Sequence, residues 1–168
     1  MTLPRLLIIL LLLGSVDLAQ AQRSLPRIGY LAAGSPQVAS ARIEAFRQGL
    51  RAIGYVEGKN IVIEYRNAAG NLDRVSHYAA EIVSLGVDVI VTAGPTDTRA
   101  AKKLTSVVPI VMSFDSDPVG NGFVASLARP GGNITGLSIL APELSGKRVE
   151  LLKELLPTVP SRCAGNYY

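Results

Sequence analysis

The sequence predicts a doubly wound α/β domain with a mostly parallel five-stranded sheet and helices on both faces. Two observations carry this. Short apolar, β-branched runs alternate with segments whose apolar residues recur at steps of three and four. The strand-like runs are also apolar on both sides of the pleat, as strands covered by helices on both faces must be. Single helices between strands imply right-handed crossovers and parallel pairing.

Taken in order, Arg27–Ala32 (RIGYLA) reads as a strand ending at the Gly34-Ser35-Pro36 turn. Ile43, Phe46, Leu50 and Ile53 then share one helical face, with Gly54 as the stop. Ile61–Tyr65 (IVIEY) is a second strand. Leu72, Val75, Ala79 and Ile82 mark a second helix, stopped by Gly86. Val87–Thr92 is the third strand, and Thr96 is placed to cap a helix running through Leu104. Val108–Phe114 is the fourth strand. Residues Asn121–Ala128 suggest a short helix closed by Arg129-Pro130-Gly131-Gly132-Asn133, and Ile134–Leu137 is a brief fifth strand. Glu143–Leu156 forms a last amphipathic helix, ended by Pro157.

The chain has 168 residues, enough for one ordinary domain. Hydrophobic residues make up 48% and charged residues 18%, which excludes a disordered chain. Part of the apolar excess lies in Leu6–Leu13 (LLIILLLL). Preceded by Arg5 and followed by Ala19-Gln20-Ala21, this run has the pattern of a secretory signal peptide, with cleavage expected after Ala21. Gly14, Ser15 and Asp17 break the run well short of the roughly 20 residues of a membrane span. No cysteine lies near the cleavage site to carry a lipid. The expected product is periplasmic or secreted, with no membrane span after cleavage. Cys163 is the single cysteine, so no disulfide can form within the chain.

The net charge of +4 is modest and scattered, and Lys102-Lys103 is the longest basic run. Nucleic-acid and lipid surfaces carry blocks of like charge, so solvated helix faces explain these residues better. Enzymatic motifs are missing. The sequence holds no GxxxxGK[ST], GxSxG, HExxH or CxxC. His77, the sole histidine, lies mid-helix and reads as solvent-facing. One His and one Cys cannot build a usual zinc site. The residues therefore imply neither a cofactor nor a catalytic centre.

Ligands of open parallel sheets bind beyond the carboxyl ends of the strands. That rule selects the loops Ala33–Gln37, Asn67–Asn71, Ala93–Thr98 and Asp115–Gly122. Gly34 and Ser35 lie in the first. In the third, Gly94-Pro95-Thr96 leads into a helix N-terminus whose free amides can hold a carboxylate, although simple N-capping explains the same residues. In the fourth, Asp115 and Asp117 precede Pro118. Such a pair can do acid–base work, bind a cation or accept from an ammonium group, and it is also a common turn.

Asp117–Leu137 reads DPVGNGFVASLARPGGNITGL, and upstream lie AFRQGLRAIGYVEGKNIVIEYR (Ala45–Arg66) and VDVIVTAGP (Val87–Pro95). Together these resemble the ABC transporter substrate-binding protein family that includes tryptophan- and tyrosine-type uptake receptors, among the type I periplasmic binding proteins. The resemblance runs from about Arg27 to Pro157. It implies a non-enzymatic protein that captures a small solute, such as an amino acid, between two similar lobes and delivers it to an inner-membrane ABC permease. It places Gly34, Ser35, Thr96, Asp115, Asp117 and Pro118 on the cleft side of the first lobe.

The expected organisation is a signal peptide at 1–21, an N-terminal α/β lobe at 22–142, a crossover helix at 143–157 leading to a missing second lobe, and an anomalous tail at 158–168. A truncated or frameshifted reading frame would end in this way, leaving a one-walled cleft and weak capture. The alternatives are an exported flavodoxin-like enzyme using Asp115 or Asp117, and an interaction domain completed by an oligomeric partner.

Overall fold

The computed structural model describes residues 25–139 and 141–155. The expected signal peptide and tail, Cys163 among them, lie outside these residues. Five strands form one sheet: β1 (Arg27–Ala32), β2 (Val62–Asn67), β3 (Val89–Thr92), β4 (Ile110–Asp115) and β5 (Ile134–Ser138). Among the described residues four helices accompany them: α1 (Pro36–Ala52), α2 (Leu72–Ser84), α3 (Pro95–Leu104) and α4 (Ala141–Leu155). Among the described residues no helix is long and apolar enough to cross a membrane.

Every strand pairing is parallel, in the order β2-β1-β3-β4-β5. The doubly wound sheet read from the sequence is therefore the observed one. The chain runs outward from β1 to β2, then returns across β1 to β3 and continues to β5. This reversal puts the switch point between the carboxyl ends of β1 and β3, the place where sheets of this type open a crevice.

Alternation along each strand divides the core in two. Leu31, Ile90, Ile110, Met112 and Ile134 face one side with Val75, Ala79 and Ile82 of α2 and Ala100 and Ala101 of α3. Tyr30, Ala32, Ile63 and Val91 face the other, under Ala39, Ile43, Phe46 and Leu50 of α1. Gly29 lets α2 settle on β1, because a Cβ there would collide with the Ile82 side chain. At Gly136, in β5, φ is +146° and a Cβ would strike the Met112 backbone, so glycine is what lets β5 lie against β4.

The helix stops lie where the sequence puts them. Gly54 and Gly86 follow α1 and α2 with φ of +89° and +64°. Two local expectations are corrected. The helix α3 begins at Pro95 with Gly94 as its N-cap, so Thr96 lies inside the first turn and does not cap. Pro95 at the first helical position explains this, since its ring presets the helical φ and its missing N–H is one that the first turn leaves free.

The second correction concerns residues 121–128, which form turns and no helix. Asn121 N–H donates to Asp117 O, Gly122 N–H to Val119 O, and Phe123 N–H to Pro118 O. Gly122 adopts a φ of +66°, which breaks any helical run. Phe123 and Val124 are both buried. Both side chains close the end of the α2–α3 face of the core.

Candidate functional site

The parallel sheet brings the loops after β1, β3 and β4 to one end of the molecule. Of the predicted site residues, Gly34, Ser35, Thr96 and Asp117 are exposed there, Gly94 is half-buried, and Asp115 and Pro118 are buried. Ser35 is the N-cap of α1, and its side chain makes no capping bond. Gly94 is the N-cap of α3 and has no side chain to make one. Two helices of 17 and 10 residues thus begin on either side of the switch point with first-turn amides that no cap side chain engages. Such amides, with the helix dipole behind them, attract a carboxylate. The loop after β2 is tied to this end as well: Gly70 N–H donates to Ala33 O and Ala68 N–H to Ala32 O, both at 2.8 Å.

The fourth loop is built around Asp115. This residue is fully buried, and its Oδ1 accepts from Asp117 N–H at 2.7 Å and from the Asn121 amide at 3.0 Å. Asp117 in turn accepts from Gly120 N–H at 2.7 Å. Both aspartates therefore do the turn work that their sequence spacing allowed. The loop is clamped to α3, where Arg99 donates to the Asn121 side chain at 3.0 Å and Lys102 to Gly122 O.

The structure adds residues that the sequence did not single out. A β-bulge between Met112 and Asp115 shifts the β4–β5 register, and Phe114 there lines a groove with Ser113. The Arg42 guanidinium lies 4.7 Å from the centre of the Phe114 ring and donates to Ala93 O at 3.2 Å. It places a cation beside the loop after β3. Beneath that loop Thr92 and Thr98 share a hydroxyl hydrogen bond of 2.7 Å, and Thr98 also donates to Gly94 O.

Asp97, in the first turn of α3, is 2% exposed. Burial pushes its carboxyl up to about 7, against the opposing pull of the Ala33, Ala93 and Gly94 amides and of Arg42. In sequence, Asp97 passes for an ordinary acidic residue in a first helical turn. The signal that could have found it is its spacing: it falls on the same helical face as Ala100, Ala101 and Leu104.

The features of a metal centre are not present among the described residues, where no group of three His, Cys, Asp or Glu side chains comes together. His77 is exposed on α2 and pairs with Glu81 at 2.9 Å.

A family model described as ABC transporter substrate binding protein matches residues 36–162. The chain belongs to this family. It is 36% identical over 115 residues to a tyrosine-binding protein of Clostridioides difficile, a match that covers 68% of this chain and 32% of that protein. Three solved structures share the fold. An ABC domain from Streptococcus pneumoniae in complex with L-Trp superposes with a TM-score of 0.64 at 28% identity, over 68% of this chain and 39% of that one. A conserved domain protein from Vibrio cholerae gives 0.72 at 34% identity, over 81% and 45%. The ligand-free, open form of a substrate binding protein with adhesive properties from Clostridium difficile gives 0.66 at 28% identity, over 80% and 45%. The family chain described here thus spans about a third of the curated relative it matches and under half of each solved one. It has the fold expected of one lobe of a periplasmic binding protein.

Proposed function

We propose that this family member supplies one wall of the solute cleft of an exported ABC importer receptor, and that its solute is an amino acid with an aromatic side chain. The observation that carries the reading is the pair of helix starts, α1 and α3, that no cap side chain engages and that follow the two strands flanking the β1–β3 switch point. They suit the carboxylate of an amino acid, with the Ser35 and Thr96 hydroxyls beside it. Relatives named for tyrosine binding and solved with L-Trp favour an aromatic amino acid over other zwitterions. The protein works without chemistry on its solute, hands it to a membrane permease, and reaches the periplasm or the cell exterior by cleavage after Ala21. Residues 143–157 lead toward a second lobe. Gly34, Gly94, Asp117 and Pro118 shape the rim, and Asp115 holds its loop from below.

The test is a titration of the isotopically labelled chain with L-tyrosine and with L-tryptophan, followed by amide chemical shifts, which register even weak binding. Saturable shifts centred on Ser35, Gly94 and Thr96 are expected, and Thr96→Ala should weaken them several-fold. Shifts confined to other parts of the sheet, or none with either amino acid, would falsify the assignment.

A further inference from the structure

Phe114 stands at the carboxyl end of β4, one residue before the buried Asp115. It is one of three phenylalanines in the chain. Phe123 is buried in the core under α2 and α3, and Phe46 packs against the core under α1. Phe114 belongs to neither cluster and is half-buried. Leaving such a ring partly in water gives up part of its burial free energy.

The β-bulge is what puts it there. Ile110 and Met112 face the α2–α3 side of the sheet. Strict alternation would send Phe114 to that side as well. Pairing between β4 and β5 holds at Met112–Gly136 and resumes at Asp115–Ser138, so Ser113 and Phe114 together stand opposite Leu137. The extra residue reverses the alternation. The Phe114 ring lies on the α1 side instead, with the Arg42 guanidinium 4.7 Å from its centre.

That position borders the start of α3. A Cβ at Gly94, the N-cap, would lie 3.7 Å from the Phe114 ring, an ordinary contact. Glycine at the cap leaves that space open between the ring and the helix start. Arg42 also donates to Ala93 O at 3.2 Å, so the cation over the ring is tied to the same loop. The ring itself lines the open groove with Leu137 and Ile139. A helix start suited to a carboxylate, an atom-sized space and an aromatic surface thus lie side by side. An α-amino acid presents its carboxylate, its Cα and its side chain in the same order.

We infer that Phe114 is a specificity-determining residue: its ring is the surface against which the aromatic side chain of the solute packs when the carboxylate sits at the start of α3. The inference rests on the carboxylate site proposed above. Aromatic rings meet one another offset or edge to face and gain more than their buried area alone supplies, which favours tyrosine and tryptophan over aliphatic side chains. The groove, about 830 Å³, has room for a phenol or an indole.

The experiment titrates the chain, labelled in its phenylalanine rings and its amides, with L-tyrosine, L-tryptophan and L-alanine. The Phe114 ring signals are expected to shift saturably with the two aromatic solutes, with the same midpoint as the Ser35, Gly94 and Thr96 amides. Phe46 and Phe123 should stay in place, and L-alanine should leave the Phe114 ring unmoved. Amides that shift while the Phe114 ring does not, or a ring that moves as far with L-alanine, overturn the inference and leave the carboxylate site standing. No shift at ring or amide with any of the three removes the carboxylate site and the inference with it.

A second arm compares L-tyrosine with L-leucine. Phe114→Leu should cut the preference for L-tyrosine several-fold, and Phe114→Tyr, which keeps a ring, should retain it. An unchanged preference in Phe114→Leu sinks the inference. The ring shifts in the parent chain decide the matter even if a variant does not fold.

Discussion

The two faces of the sheet are covered very differently. On one, α2, α3 and the turns holding Phe123 and Val124 enclose a continuous buried cluster from Leu31 to Ile134. On the other, α1 is the helix that covers β1, β2 and part of β3 among the described residues. Beyond it lies an open groove of about 830 Å³, lined by Val111, Phe114, Leu137 and Ile139 and by the Tyr30–Arg42 rim. Leu137 and Ile139 remain 69% and 52% exposed. The difference shows where the sheet is packed and where it is open. Packing on the enclosed side holds the strand ends, while on the other side the Arg42–Phe114 pair borders the open groove.

That contrast can be broken most directly at Ile82. Its side chain is fully buried and lies where α2 meets Gly29. Ile82→Ala is expected to cost about 2–5 kcal/mol, the range for an aliphatic side chain cut back in a tight core. Urea unfolding curves check it, and a cost near zero would mean the enclosed face is not the stabilising one.

An intermediate effect is expected at Asp97, where α3 of the enclosed face meets Tyr30 and Arg42 of the open one. Its folded carboxyl lies at about 7 against an ordinary value of 3.8. Between these values the folded chain binds more protons than the unfolded one, so stability must fall as pH rises. This contribution is full below the ordinary value, declines up to about 7 and is level above it. Asp97→Asn should flatten the profile in that window. Thermal unfolding measured across it would sharpen the comparison, and a parent profile that rises with pH there contradicts the buried acid.

The smallest effect is expected on the groove. Leu137→Ser should change stability by no more than about 0.5 kcal/mol, because the side chain is already in water. A loss as large as that at Ile82 would show that the groove is filled in solution and that the two faces are more alike than they look.

Much of the fold was legible because its signals are local. β1 begins and ends where the RIGYLA run does, and the glycine stops of α1 and α2 follow from the left-handed φ that such a position demands. The turns at 121–128 were harder to read. Alternating small and apolar residues there mimic a helix, and only the hydrogen bonds to Asp117 and Pro118 reveal a loop folded onto α3. In the site, the exposed Ser35 and Thr96 could be found from strand ends and helix starts. Arg42 could not, because its partner is distant in the chain: Ala93 lies 51 residues beyond it.

By itself, then, the sequence determined the alternation of strands and helices, the parallel sheet and the end of it where a ligand belongs. Periodicity, β-branching and glycine placement act over a few residues, so they survive without knowledge of the whole. Only the tertiary structure decided which face is enclosed, which loops meet at the reversal in strand order, and which acid is stripped of water between them. Burial and electrostatic coupling are properties of neighbours in space, and here those neighbours are drawn from β1, α1, β3, α3 and β4 at once.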